Sequence, residues 1–251
     1  MKTTATALRI FLVPALAVAA LGFSTVFALA QDANLSSALR QQIRQALKTG
    51  DADAVWRLAA RNPVQAIPIA QMAASAAQTM VTTDPLAAAN IAASAASIVS
   101  APEVIAADPA AAAEVAATVA RVAATPAVMD AAPAVCARIA ASASQVAATP
   151  SVMAAAPVVA AETVSWAKIT STYAAVLAVA PALSAQTAAS IHTVVTDPHV
   201  MAAAPTLVAE GQASVPAPAA APAPAPISVL QPLLTPPVDP TITTPASPAG
   251  G

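Results

Sequence analysis

The chain has 251 residues, of which 58% are hydrophobic, only 9% charged and 2% aromatic, with a net charge of −2. Ordinary globular domains carry about 25% charged residues. The apolar content is mostly alanine, which favours helix at almost no side-chain entropy cost but buries little area. Ten basic residues scattered without a stripe exclude the electrostatic footprint of a nucleic-acid binder.

The N-terminus comes first. Lys2 and Arg9 flank a polar start, "IFLVPALAVAALGFSTVF" runs apolar from Ile10 to Phe27, and Ala28 and Ala30 supply small residues before a polar shift at Gln31. This is the form of a secretory signal peptide over 1–30, which places the protein in the periplasm or outside the cell. Left uncleaved, the same run is an anchor helix near the lower length limit for crossing a bilayer. After cleavage no membrane span is expected. Cys136 is the single cysteine, so no internal disulfide framework can form, and no cysteine stands at the cleavage junction to carry a lipid.

Residues 31–62 predict a helical hairpin. Asn34 or Ser36 caps a helix with Leu39, Ile43 and Leu47 on one face, Gly50 stops it, and a second helix ends before Pro63. Asp51 and Asp53 suit helix capping better than acid–base work.

Prolines then recur at 85, 109, 133, 157, 181 and 205, each 24 residues from the last. A second set stands at 102, 126, 150 and 198, with Ala174 filling the vacancy. The period defines 24-residue units over 63–213, starting at residues 79, 103, 127, 151, 175 and 199. Within a unit numbered 1 to 24, proline at position 7 suits the first turn of a helix, and Asp84 and Asp108 suit the preceding cap. Larger apolar residues follow at positions 13, 17 and 20, as in Val115, Val119 and Val122, or Ile139 and Val146, or Ile191 and Val194. That spacing is one helix face. Position 12 is polar throughout: Asn90, Glu114, Arg138, Glu162, Gln186, Glu210. Each unit therefore predicts one amphipathic helix of about 14 residues, or roughly 21 Å. A short "SVMAAA"-type segment, read as a single helical or 3₁₀ turn, brings the chain back with its Val and Met in the core.

A lone unit would expose its apolar face, so neighbours must stack. The expected fold is all-α, an α-solenoid-like array of 24-residue helical repeats. Stacking of each unit on the next would place Glu114, Arg138 and Glu162 in one ladder of alternating sign. From residue 214 the composition turns to proline and alanine, and a disordered Pro/Ala-rich tail is expected over 214–251. Its apolar island Ile227–Leu234 is a passive tether or a docking segment.

One unit departs from the pattern. Residues 151–174 hold Trp166, Lys168 and Tyr173 and lack the closing proline, so their helix is expected to run from Pro157 nearly to Ala180. The three form a candidate partner contact, because Trp and Tyr are favoured interface anchors; the alternative is a packing variation. His192 and His199 straddle Pro198 and read as a helix-end and a loop histidine rather than metal ligands. Cys136 takes a small core position. No phosphate loop, H-E-x-x-H or G-x-S-x-G motif occurs, so no catalytic residue, metal or cofactor is expected.

The "DPAAAAEVAATVARVAATP" units resemble those of uncharacterised, alanine-rich, proline-punctuated exported helical-repeat proteins of Gram-negative bacteria, over residues 57–213. The resemblance implies no particular activity. "ALKTGDADAVWRLA" resembles tetratricopeptide-type hairpins, without their 34-residue period. The expectation is a non-enzymatic exported scaffold or cell-envelope interaction module with a protein or envelope partner. The alternative is an ice- or cell-surface-binding structural protein, suggested by Thr125 and Thr149 one period apart.

Overall fold

The computed structural model describes residues 35–212. The expected leader, the tail and its island Ile227–Leu234 lie outside that range. Within it the chain is all-α: fourteen helices, no strand. The opening hairpin is α1 (Ser37–Lys48) and α2 (Ala52–Arg61), followed by a 3₁₀ turn (Pro63–Gln65) and α3 (Ala66–Met80). Long helices follow: α4 (Pro85–Val99), α6 (Pro109–Ala123), α8 (Pro133–Ala147), α10 (Pro157–Thr172), α12 (Pro181–Thr196) and α14 (Pro205–Gln212). Between them stand α5 (Pro102–Ala107), α7 (Pro126–Ala131), α9 (Pro150–Ala155), α11 (Ala174–Val179) and α13 (Pro198–Ala203).

Local chemistry accounts for the boundaries. Ser36 accepts from Leu39 N–H at 3.2 Å and starts α1. Gly50 ends the turn at φ +68°, a conformation that only glycine adopts without strain. Asp51 caps α2 through Ala54 N–H at 2.8 Å. Asp84 and Asp108 cap α4 and α6 through Ala87 and Ala111 N–H, at 3.0 and 2.9 Å. Proline occupies the first turn of every helix from α4 to α14 except α11, where its missing N–H has no partner to lose. At α8, α10 and α12 the cap position is alanine, which offers no side-chain acceptor.

Two expectations are corrected here. The connecting segments are six-residue α-helices, longer than a single turn. The helix from Pro157 also stops at Thr172 although residue 174 is not proline. Tyr173 takes φ −69° and ψ 132°, matching Thr125, Thr149 and Asp197 at the same place in their units. Packing imposes this break. It lets Val176 enter the core, fully buried, as Val128, Val152 and Val200 do.

The core is lined by the predicted face. Val115, Val119, Val122, Ile139, Val146, Ile191 and Val194 are all buried. Burying each such side chain stabilises the fold by about 1.5–3 kcal/mol. Buried alanines such as Ala92, Ala112, Ala116 and Ala120 keep helix axes close.

Each long helix packs against the next and also the next but one: α4 on α6 and α8, α6 on α8 and α10, α8 on α10 and α12. This sorts them into two rows. One holds α2, α4, α8 and α12; the other holds α3, α6, α10 and α14. The short helices follow the same rule, with α5, α9 and α13 in contact along one edge and α7 with α11 along the other. From α4 onward the long helices start every 24 residues, but those stacked in one row are 48 residues apart. The alternating ladder is therefore not built. Glu114 and Glu162 lie in the second row, and Arg138 lies in the first.

Candidate functional site

The predicted contact residues sit on and just beyond α10, in the second row. The indole Nε1–H of Trp166 donates to Glu162 Oε1 at 3.3 Å, one turn back on the same helix. The Arg121 guanidinium of α6 stands 5.7 Å from the Trp166 ring centroid and pairs with the same Glu162 carboxylate. Glu162 thus receives two donors, and the half-buried indole roofs the ion pair. The pair remains partly open to water, at 40% and 34% side-chain exposure, so it contributes at most about 1 kcal/mol, with a similar amount from the cation–π contact.

Tyr173 makes a second tie. Its hydroxyl donates to Asp130 Oδ1 at 2.7 Å, joining the end of α10 to α7. That hydrogen bond, followed by desolvation and the charge of Asp130, raises the phenol above its ordinary value. Lys168 is half-buried on α10 between them. Trp166 and Tyr173 therefore reach different elements, and both are engaged inside the array. Their partners Arg121 and Asp130 escaped the sequence reading, which paired neighbouring units. They lie 45 and 43 residues upstream, close to one row step.

The first row presents a different surface. Arg138 on α8 lines a groove of about 190 Å³ whose walls include Ser97 of α4, Ser142 and Gln145 of α8, and Gln186 of α12. Ala93, Ala96 and Ala141 give it a shallow apolar floor. Two ion pairs occur among the described residues, Arg57–Asp51 at 3.8 Å and Arg121–Glu162, and Arg138 belongs to neither. It is the only Lys, Arg, Asp or Glu in α4, α8 or α12. A further groove, about 440 Å³, opens between α5 and α9 against Ile105, Ala106, Val146 and Thr149.

The remaining candidates are quiet. Cys136 is buried, its thiol donates to Val128 C=O at 3.5 Å, and burial pushes it up to about 12. His192 and His199 are both exposed. Among the described residues no three His, Cys, Asp or Glu side chains converge as a metal site. Thr125 and Thr149 donate their hydroxyls to Arg121 and Gln145 carbonyls at 3.2 and 3.1 Å. They end helices of different rows, so they form no common ladder. No described helix is long and apolar enough to cross a membrane.

No family model, curated protein or solved structure matches this chain.

Proposed function

We propose that this protein is an exported, non-enzymatic helical scaffold that works as a cell-envelope interaction module. The leader over 1–30 directs export, and the helical array over 63–213 supplies the binding surface. The observation that carries the reading is the two-row packing itself. Every long helix touches the next and the next but one, so each row holds its outer side chains in fixed register across several helices. A rigid face of that kind suits recognition of another macromolecule. Trp166 and Tyr173 add to this rigidity by tying α10 to α6 and α7.

The test is fractionation of cells expressing the full chain, followed by affinity capture from the envelope. The expected result is protein outside the cytoplasm, in a saturable complex of fixed stoichiometry with one envelope component. Retention in the cytoplasm, or a purified protein that turns over a substrate, would overturn the reading.

A further inference from the structure

The first row carries an inference about the partner's chemistry, resting on the interaction-module reading above. Long helices α4, α8 and α12 hold one charge among them, that of Arg138. It stands in the groove, in no ion pair, amid uncharged hydrogen-bonding groups. Register reinforces the grouping. Gln186 is Arg138 moved one row step of 48 residues, and Gln145 is Ser97 moved by the same step. The groove therefore has two polar rungs, guanidinium with amide and hydroxyl with amide, and Ser142 sits between them on α8.

Several charges elsewhere are engaged within the fold. Arg121 is neutralised by Glu162 in the other row. Asp84 caps α4, and Asp130 accepts from Tyr173. An arginine left unneutralised among groups that cannot carry charge matches a single anion, and its planar fork favours a carboxylate bound through two parallel N–H donors. A polyanion such as nucleic acid needs several cations along its track, whereas α4, α8 and α12 supply one. Side-chain amides both donate and accept, so Gln145 and Gln186 complement the alternating N–H and C=O groups of an extended backbone. From α4 across α8 to α12 is two interhelical steps of about 9 Å each, the reach of five or six extended residues at about 3.3 Å apiece. The alanine floor admits small side chains beneath such a strand.

We propose that the Arg138 groove binds an extended, sparsely charged polypeptide segment through one Asp or Glu carboxylate. The probe is a labelled heptapeptide, Ser-Gln-Ala-Glu-Ala-Gln-Ser, titrated into the full chain by fluorescence polarisation. A matched peptide with Gln for Glu, and inorganic phosphate as competitor, complete the set. Saturable binding of the Glu peptide is expected, weakened about tenfold by Gln in the peptide or by Arg138→Gln, with Arg138→Lys intermediate because it keeps charge and loses the fork. Helical circular dichroism should be the same in all variants, since Arg138 is exposed and outside both ion pairs. Equal binding of the Glu and Gln peptides, or undiminished binding by Arg138→Gln, overturns the proposal. So does displacement by phosphate at concentrations matching the peptide, which would reduce the groove to a simple anion site. Envelope capture that persists in Arg138→Gln while the peptides fail to bind would remove this assignment and leave the module reading standing.

Discussion

The two rows are cut from the same 24-residue unit and carry opposite outer faces. The second row holds Glu114 and Glu162 at unit position 12 and answers one of them with Arg121, under the roof of Trp166. The first row places Asn90, Arg138 and Gln186 at that position and leaves Arg138 without a carboxylate. Both rows bury the same alanine and valine stripe. The difference teaches that the stripe builds the array, whereas position 12 and its neighbours decide whether a face is closed on itself or open to a ligand.

The comparison can be broken first at the shared core. Ile139→Ala in α8, which has helices of its own row on both sides, is expected to cost about 2–5 kcal/mol in urea unfolding. Ile191→Ala in α12, the last described helix of that row, should fall toward the lower end, because fewer neighbours hold the cavity open. Equal losses would mean that the row offers its interior no extra packing.

Outer faces should separate the rows more gently. Arg121→Ala removes an ion pair and a cation–π contact and is expected to cost about 1–2 kcal/mol. Arg138→Ala should stay within about 0.5 kcal/mol, as an exposed side chain outside any ion pair. Denaturant melts of the two variants side by side are the check; similar losses would show that Arg138 has a partner inside the fold.

Caps provide a control that ignores the rows. Asp84→Ala in the first row and Asp108→Ala in the second each remove one side-chain acceptor at a helix start. Each should cost about 1 kcal/mol. A marked inequality in thermal unfolding would show that the rows differ beyond their outer faces.

The smallest effect is a pH dependence at the tie between Tyr173 and α7. The Tyr173 phenol is raised above its ordinary value of 10.0 by its bond to Asp130. A group raised on folding adds stability in full below the unfolded value and loses it as pH rises through the folded one. The tie should therefore weaken above about pH 10. Melting curves of Tyr173→Phe should show a shallower alkaline decline than the parent, and identical slopes would mean that the hydrogen bond contributes nothing.

Much of this was legible in the chain. The prolines at 24-residue intervals mark every helix start from α4 onward except that of α11, the aspartates before two of them cap as expected, and Gly50 closes the hairpin. These are local effects, decided within a few residues. Pairing was not legible from the period alone, because identical positions of successive units face different rows. A signal did exist: position 12 alternates acid and non-acid, with Glu114 and Glu162 between Asn90, Arg138 and Gln186. Reading the sequence at 48 rather than 24 would have brought Arg121 to within three residues of Trp166 and Asp130 to within five of Tyr173. The break at Tyr173 was hidden for a different reason. Nothing local demands it; the buried seat of Val176 does.

The mismatch between the spacing of helix starts and the spacing within a row makes parity a property of this chain. Adding or losing two units returns every downstream helix to its own side, whereas one unit would deal each of them to the opposite side and carry the acids where Arg138 now stands alone. A lineage of such proteins that preserved its surface chemistry would therefore have grown in even steps.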